Sequence, residues 1–531
     1  MKVLTRNWRF LRFLPQLEGW NKELLCRNCF SDKGSGPHHL CSSSTAVHNV
    51  ESRWVNLLLK MADHDVPTTE ALPSQNRMTQ IREMLSTAVR MRRTDSSGDL
   101  MPNAVAKEVR HFYSGLITKA EKLAFFLVLE RDLGVDHEEV METAASLSKA
   151  QKNGVPAMLR AEDKLRQALE PAHIQLLSQI SKLQGGVKDI VDMRNDLLEG
   201  LNDEKDPVAR QELQALSTSI KNLLAQWFAV GLLDLKQVTW DSPGSILEKI
   251  IRYEAVHSMY GWEDLKRRLA PDRRCYIYTH RSMPGEPVVV LHTALEYEIS
   301  DNIQIILSEP EVDRDEYEYE LEKRTTAVFY SITSTQKGLS GVDLGNFLIK
   351  HVVEQLQHEF PNITQYSTLS PIPGFRQWLK LQISHALDQQ ENDLPQTLLL
   401  EDEQKQILEA RQNTDMSSLV VFKEILETSD WHRDPAISNC LKSPLLRLCA
   451  RYLYKEKRRG FVMDPVGNFH IRNGACMWRL NWFADLSARG FQNSFGLMVN
   501  YRYVLEEVDK NNQQYLLNGT VAASPQFLEL L

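Results

Sequence analysis

The stretch TAVFYSITSTQKGLSGVDLGNFLIKHVVEQL, Thr326–Leu356, decides the fold class. Its first eight residues, 326–333, are mostly β-branched or aromatic, which is the composition of a strand. Gly338, Gly341 and Gly345 then interrupt the chain. Val342, Phe347, Leu348, His351 and Val352 recur at helical spacing, and the pattern runs on to Leu356. Strand, glycine loop and helix in that order make an α/β unit. Unpaired N–H groups at a helix start attract anions, and glycine lets a phosphate approach the backbone. The spacing is neither a Walker A loop nor G-x-G-x-x-G, and Asp343 in the first turn is unfavourable beside an anion. An ordinary strand-to-helix turn has the same pattern, so the loop alone leaves both readings open.

Working outward, CYIYTHRS (275–282) and EPVVVLHTAL (286–295) read as further strands, joined by a turn at Pro284–Gly285. Helical patterns occupy 375–387, 402–428 and 437–456, and GLMVNYRYVLE is a late strand. Before about residue 225 the chain reads as helix only. Val187, Ile190, Val191, Arg194, Leu197, Leu198 and Leu201 form one stripe with a single polar interruption. Leu165 and Leu169 precede Pro171, while Ile174, Leu177 and Ile180 follow it, and Gly185–Gly186 marks a break. No chemistry is evident there. The expectation is packing helices, in part against another copy of the chain.

A length of 531 residues exceeds one compact core, so two domains are expected. With 42% hydrophobic and 25% charged residues the composition is that of a soluble globular protein. A net charge of −8, with acids and bases interspersed, argues against nucleic acid as the main ligand. No apolar run approaches the ~20 residues of a membrane helix. Seven cysteines in so long a chain do not make a disulfide framework. The opening, MKVLTRNWRFLRFL, spaces Lys2, Arg6, Arg9 and Arg12 three to four apart, with no acid before Glu18. That is the pattern of a mitochondrial transit peptide. Cys26, Cys29, His38, His39 and Cys41 lack the spacing of a zinc finger, and no metal is expected. The acids of 308–324 read as a solvated insertion.

Three stretches could carry chemistry. In YSTLSPIPGFRQWL, Ser370 precedes two prolines; the residue before proline is held extended, so the serine sits on a stiff corner ahead of a helix near Phe375. In DPVGNFHIRNGA, His470 has the setting of a proton donor in a mostly apolar cleft, or of a satisfied structural histidine. In NYRY, Tyr501 and Tyr503 share a strand face opposite Arg502, which also suits plain core residues.

Taken together and in order, CYIYTHRSMPGEPVVVLHTAL, GLSGVDLGNFLIK, STLSPIPGF, SPLLRLCARYLY, DPVGNFHIRNGA and GLMVNYRYVLEE resemble the malonyl-CoA decarboxylase family over about residues 130–510. The resemblance implies an all-α N-terminal domain used for self-association. It implies next an α/β catalytic domain resembling the Gcn5-related N-acetyltransferase fold. The corresponding boundaries are 1–45 for leader and linker, 46–225 for the helical oligomerisation domain, and 226–531 for the acyl-CoA-binding catalytic domain. Carried over by residue, the CoA loop falls on Ser340, Gly341, Val342, Asp343, Leu344, Gly345 and Asn346. The catalytic residues fall on Ser370, His470 and Tyr503.

The implied reaction is decarboxylation of malonyl-CoA to acetyl-CoA and CO₂, with CoA as part of the substrate and no separate cofactor or metal. In it His470 protonates the enolate carbon, and Ser370 orients the malonyl group and passes or accepts a proton. The competing reading on the same fold is a CoA-dependent acyltransferase, which needs an acceptor site and a base of its own. The implied partner is another copy of the chain, in a tetramer, with no nucleic acid and no membrane span. The implied compartment is the mitochondrial matrix, with a cytoplasmic pool compatible. The ending FLELL is not the S-K-L of many relatives, so a peroxisomal pool is not expected. Gly244 and Arg281 stand where animal relatives carry inter-subunit cysteines, so redox control of assembly is not expected either.

Overall fold

A computed structural model describes residues 103–308, 321–342, 348–391, 398–412, 416–428 and 430–531, together with Thr79, Arg82, Glu83, Leu85 and Leu344. The chain divides into Met1–Leu72 and Pro73–Leu531, and the described residues all belong to the second unit. The arginine-rich start, the Cys26–Cys41 segment, most of the acidic insertion, and Asp343, Gly345 and Asn346 lie outside the described residues.

The first part is helical, as expected: Asn103–Ser114, Lys119–Leu133, His137–Ala150, Val155–Ala168, Ala172–Ser181, Gly186–Asp203 and Pro207–Trp227. The starts carry their signals. Thr118 and Glu121 form a capping box, and Asp206 accepts from Val208 and Ala209 ahead of Pro207 at the first helical position. In Gly186–Asp203 the buried stripe is Val187, Ile190, Val191, Met193, Arg194, Leu197 and Leu201. Leu198 is only half-buried.

The second part mixes sheet and helix. Its strands are β1 (Leu233–Val238), β2 (Arg273–His280), β3 (Pro287–Glu296), β4 (Thr326–Ser334), β5 (Gln365–Thr368), β6 (Ser370–Pro371), β7 (Lys457–Arg458), β8 (Phe461–Val462), β9 (Cys476–Asn481) and β10 (Met498–Tyr503). β7 and β8 form a small hairpin apart from the main sheet. β1 to β4 pair antiparallel in sequence order, β4 pairs parallel with β5, and β10 enters antiparallel between β5/β6 and β9. β2, β3 and β4 are buried along nearly their whole length, which is why they read as near-continuous apolar runs. Helices Gly244–Tyr253 and Trp262–Arg268 contribute Ile246, Leu247, Ile250 and Leu265 to a core with Cys275, Ile277 and Val290.

Two expectations need correction. The pattern over 402–428 is two helices, Glu401–Arg411 and Ser418–Glu427, because Gln412 turns left-handed at φ 51 and stops the first. Val342 is not on the helix: the chain makes a short 3₁₀ turn at Lys337–Leu339, and the described helix is Leu348–Glu359. β1 was not anticipated, since LDLKQV carries two charges in six residues.

Helix Pro465–Arg472 carries His470. Asp464 caps it by accepting from the Gly467 N–H at 2.8 Å, and Pro465 takes the first helical position. It ends before Gly474, whose φ is +82°, and a Cβ there would lie 2.2 Å from the Val508 carbonyl oxygen. Gly474→Ala should therefore cost roughly 2 kcal/mol or more through backbone strain and crowding. Denaturant unfolding measures it; unchanged stability would mean that Val508 yields freely.

Candidate active site

β4 and β5 run parallel for four residue pairs, from Thr326 with Gln365 to Phe329 with Thr368. The Leu369 N–H still donates to the Phe329 carbonyl at 3.2 Å. Beyond it Ser370 and Pro371 pair only with Val499 and Met498 of β10, while β4 continues to Ser334. The two strands part, and a cleft of about 1060 Å³ opens between them. Phe329, Tyr330, Ser331 and Ser370 line it, and helix Pro465–Arg472 brings Phe469 and His470 to it. Ser340, Gly341, Val342 and Leu344 of the glycine loop form another side.

Ser370, His470 and Tyr503, expected together, do meet. Ser370 Oγ lies 3.2 Å from His470 Nε2, and His470 Nδ1 lies 2.8 Å from the Tyr503 hydroxyl. Ser370 Oγ also donates to Thr368 Oγ1 at 2.8 Å, which in turn accepts from the Tyr501 N–H at 3.1 Å. A hydroxyl has one proton. With that proton directed at Thr368, the Ser370–His470 contact needs the hydrogen on Nε2. Nδ1 is then bare and accepts from Tyr503. The hydrogen-bond count thus sets the tautomer.

All three side chains are almost fully buried. Burial lowers the His470 pKa to about 3, so the imidazole is neutral at pH 7. Burial also holds the Tyr503 phenol well above its usual value, so it keeps its proton. The His470 ring stacks on Tyr501, with centroids 4.8 Å apart and planes at 24°.

Asp464 joins the serine and histidine segments. It is fully buried, and burial raises its pKa to about 6 against hydrogen bonds from Gly467, Tyr452, Val466 and Gly374. Gly374 ends the Ser370-Pro-Ile-Pro-Gly run, and the Tyr452 hydroxyl would lie 2.3 Å from a Cβ placed on it. Tyr452 reaches Asp464 Oδ2 at 3.3 Å. Through Tyr452, whose hydroxyl packs against Gly374, Asp464 thus links the end of the proline corner to the start of the histidine helix. Thr368 and Asp464 were not singled out from sequence, although Asp-Pro ahead of a helical pattern is a legible start signal. Asn195, Leu198, Glu199 and Asn202 of helix Gly186–Asp203 also line the cleft, and nothing in the helical stripe announced that.

Comparison with known proteins places the chain in a family. The model described as malonyl-CoA decarboxylase C-terminal domain matches residues 231–531, and the N-terminal domain model of the same family matches 133–228. The mitochondrial malonyl-CoA decarboxylase of Rattus norvegicus is 44% identical over 425 residues, which cover 79% of this chain and 84% of the relative. That of Anser anser anser is 42% identical over 426 residues, covering 80% and 82%. Among solved structures, malonyl-CoA decarboxylase from Rhodopseudomonas palustris superimposes with a TM-score of 0.70 at 33% identity, over 86% of this chain and 100% of that one. The Agrobacterium vitis enzyme gives 0.70 at 33%, over 85% and 99%. The fold and cleft thus define a decarboxylase-type α/β protein with a helical N-terminal part. The chain belongs to the malonyl-CoA decarboxylase family.

Selective ¹⁵N-histidine labelling should find His470 neutral at pH 7, with its proton on Nε2, and still neutral at pH 5. In Tyr503→Phe the Nδ1–H form should appear, because the donor that excludes it is gone. Titration of His470 near pH 6.5 would contradict the assigned burial and tautomer.

Proposed function

We infer that this chain decarboxylates malonyl-CoA to acetyl-CoA and CO₂. The observation that carries the reading is the buried Ser370–His470–Tyr503 chain at the cleft of a protein of this family. Breaking the bond between the carboxylate and carbon 2 leaves its electron pair in a thioester enolate, and carbon 2 then takes one proton. The thioester is itself the electron sink, so the proposed reaction uses no cofactor or metal.

The site's part is to align the carboxylate, receive charge on the enolate oxygen and supply the proton. A neutral imidazole is a poor acid. A substrate carboxylate brought close to Nε2 favours the imidazolium, because opposite charge offsets the desolvation that now suppresses it. His470 thus takes up a proton as substrate binds and gives it to carbon 2. Ser370, hydrogen-bonded to Nε2 and facing the cleft, orients the malonyl group and passes the proton. Tyr503 holds Nδ1.

The CoA end is proposed to lie along Ser340, Gly341, Val342 and Leu344, with Asp343, Gly345 and Asn346 completing the loop. The strand–loop–helix order supports a Gcn5-related acetyltransferase arrangement for 226–531. The helices of 46–225 are proposed to serve self-association as a tetramer. The relatives named above are called mitochondrial, and the arginine-rich opening of this chain suits the same compartment.

Release of CO₂ from malonyl-CoA with no acyl acceptor present separates this activity from acyl transfer. His470→Ala should lower kcat by roughly 10²–10⁴. Ser370→Ala should lower kcat more than it raises KM. The double variant should be scarcely worse than the poorer single one, since residues acting as a unit are non-additive. Fully additive losses, or near-normal kcat in either single variant, would overturn the paired role.

A further inference from the structure

The helical region does more than pack. Helix Gly186–Asp203 touches the glycine loop backbone to backbone: a Cβ on Gly338 would lie 1.8 Å from the Val191 carbonyl oxygen. Gly338 is therefore the residue that permits this contact. One turn on, Arg194 is 3% exposed. Its Nη1 donates to the Gly338 carbonyl, and its Nε donates to the Ser217 carbonyl at 3.3 Å. Both partners are neutral. Burial pulls the Arg194 pKa down, and among the described residues no carboxylate pairs with it. A buried guanidinium without a counter-charge is costly.

Further cations lie nearby. Lys221, on the next helix, comes within 3.8 Å of where a Cβ on Gly341 would stand. Lys337 and Arg472 line the cleft. The one acid of the helical wall, Glu199, already accepts from Asn195 Nδ2 at 3.3 Å.

We propose that Arg194, from the helical region, is a positioning residue for the diphosphate of the substrate's nucleotide end. It holds the 3₁₀ turn at Gly338 from which Ser340, Gly341 and Val342 run along the cleft, and it sets a positive charge behind that loop. The proposal rests on the cleft being an acyl-CoA site. It makes the helical region part of substrate recognition, so self-association is not its sole use.

Steady-state kinetics of wild type, Arg194→Lys and Arg194→Met decide the matter with two substrates. One is malonyl-CoA; the other is malonyl-pantetheine, which has the same reacting thioester but no diphosphate or nucleotide. Arg194→Met should raise KM for malonyl-CoA by about tenfold or more, the worth of one charged contact, with kcat near normal. Arg194→Lys should recover part of that loss. Neither variant should change kcat/KM for malonyl-pantetheine. Equal loss on both substrates would make Arg194 merely structural, and no loss on malonyl-CoA would remove its role; either overturns the proposal. If Arg194→Met does not fold, Arg194→Lys gives the same two-substrate comparison. A wild-type enzyme that handles both substrates equally would instead count against the acyl-CoA reading itself, and the proposal would fall with it.

Discussion

The cleft exists because two parallel strands stop pairing. β4 and β5 share a ladder only as far as Phe329 and Thr368, and Ser370–Pro371 then turn to β10. Proline at the parting has no N–H to offer a continuing ladder. The gap left on the β4 side cannot close, since Ser370 is held by Val499 of β10 and the following Ile372 is buried. Everything functional hangs on that gap. It sets Ser370 and His470 on the wall of the cleft and leaves the glycine loop beyond the end of β4.

Holding the gap open places two ionisable groups where burial disfavours their charge. His470 is kept neutral, which costs little until a proton is wanted. Asp464 accepts from the Gly467 N–H of the histidine helix and from the Tyr452 hydroxyl, which partly offset its burial. A carboxylate so placed fixes the distance between the proline corner and the histidine helix more firmly than apolar packing, because its donors must all stay in line. Of the groups whose pKa burial shifts here, His470 and Tyr503 are residues the family resemblance singled out, and Asp464 is not.

Much of this was legible in the chain. Composition and bounding turns located β2, β3 and β4, and Ser-Pro-Ile-Pro-Gly announced a stiff corner. What escaped notice depends on contacts between residues far apart in sequence. The pairing of Tyr503 with Tyr366 sets β10 beside β5, and no local pattern encodes it. Arg194 read as one polar residue on an apolar stripe, because helical periodicity says which face is buried and not what it meets. Asp464 drew no notice in the sequence, because its reach to Tyr452 belongs to tertiary structure. The broken helix at Gln412 has no glycine or proline to mark it.

The central claim is that substrate charge turns a buried, neutral His470 into an acid. Calorimetric binding of a malonyl-CoA analogue with a sulfonate in place of the carboxylate, which cannot lose CO₂, tests it directly. Titrations at pH 7 in buffers of different ionisation enthalpy count the protons taken up. The account predicts uptake approaching one proton per site in wild type and almost none in His470→Ala. Binding without proton uptake in the wild-type enzyme would contradict it.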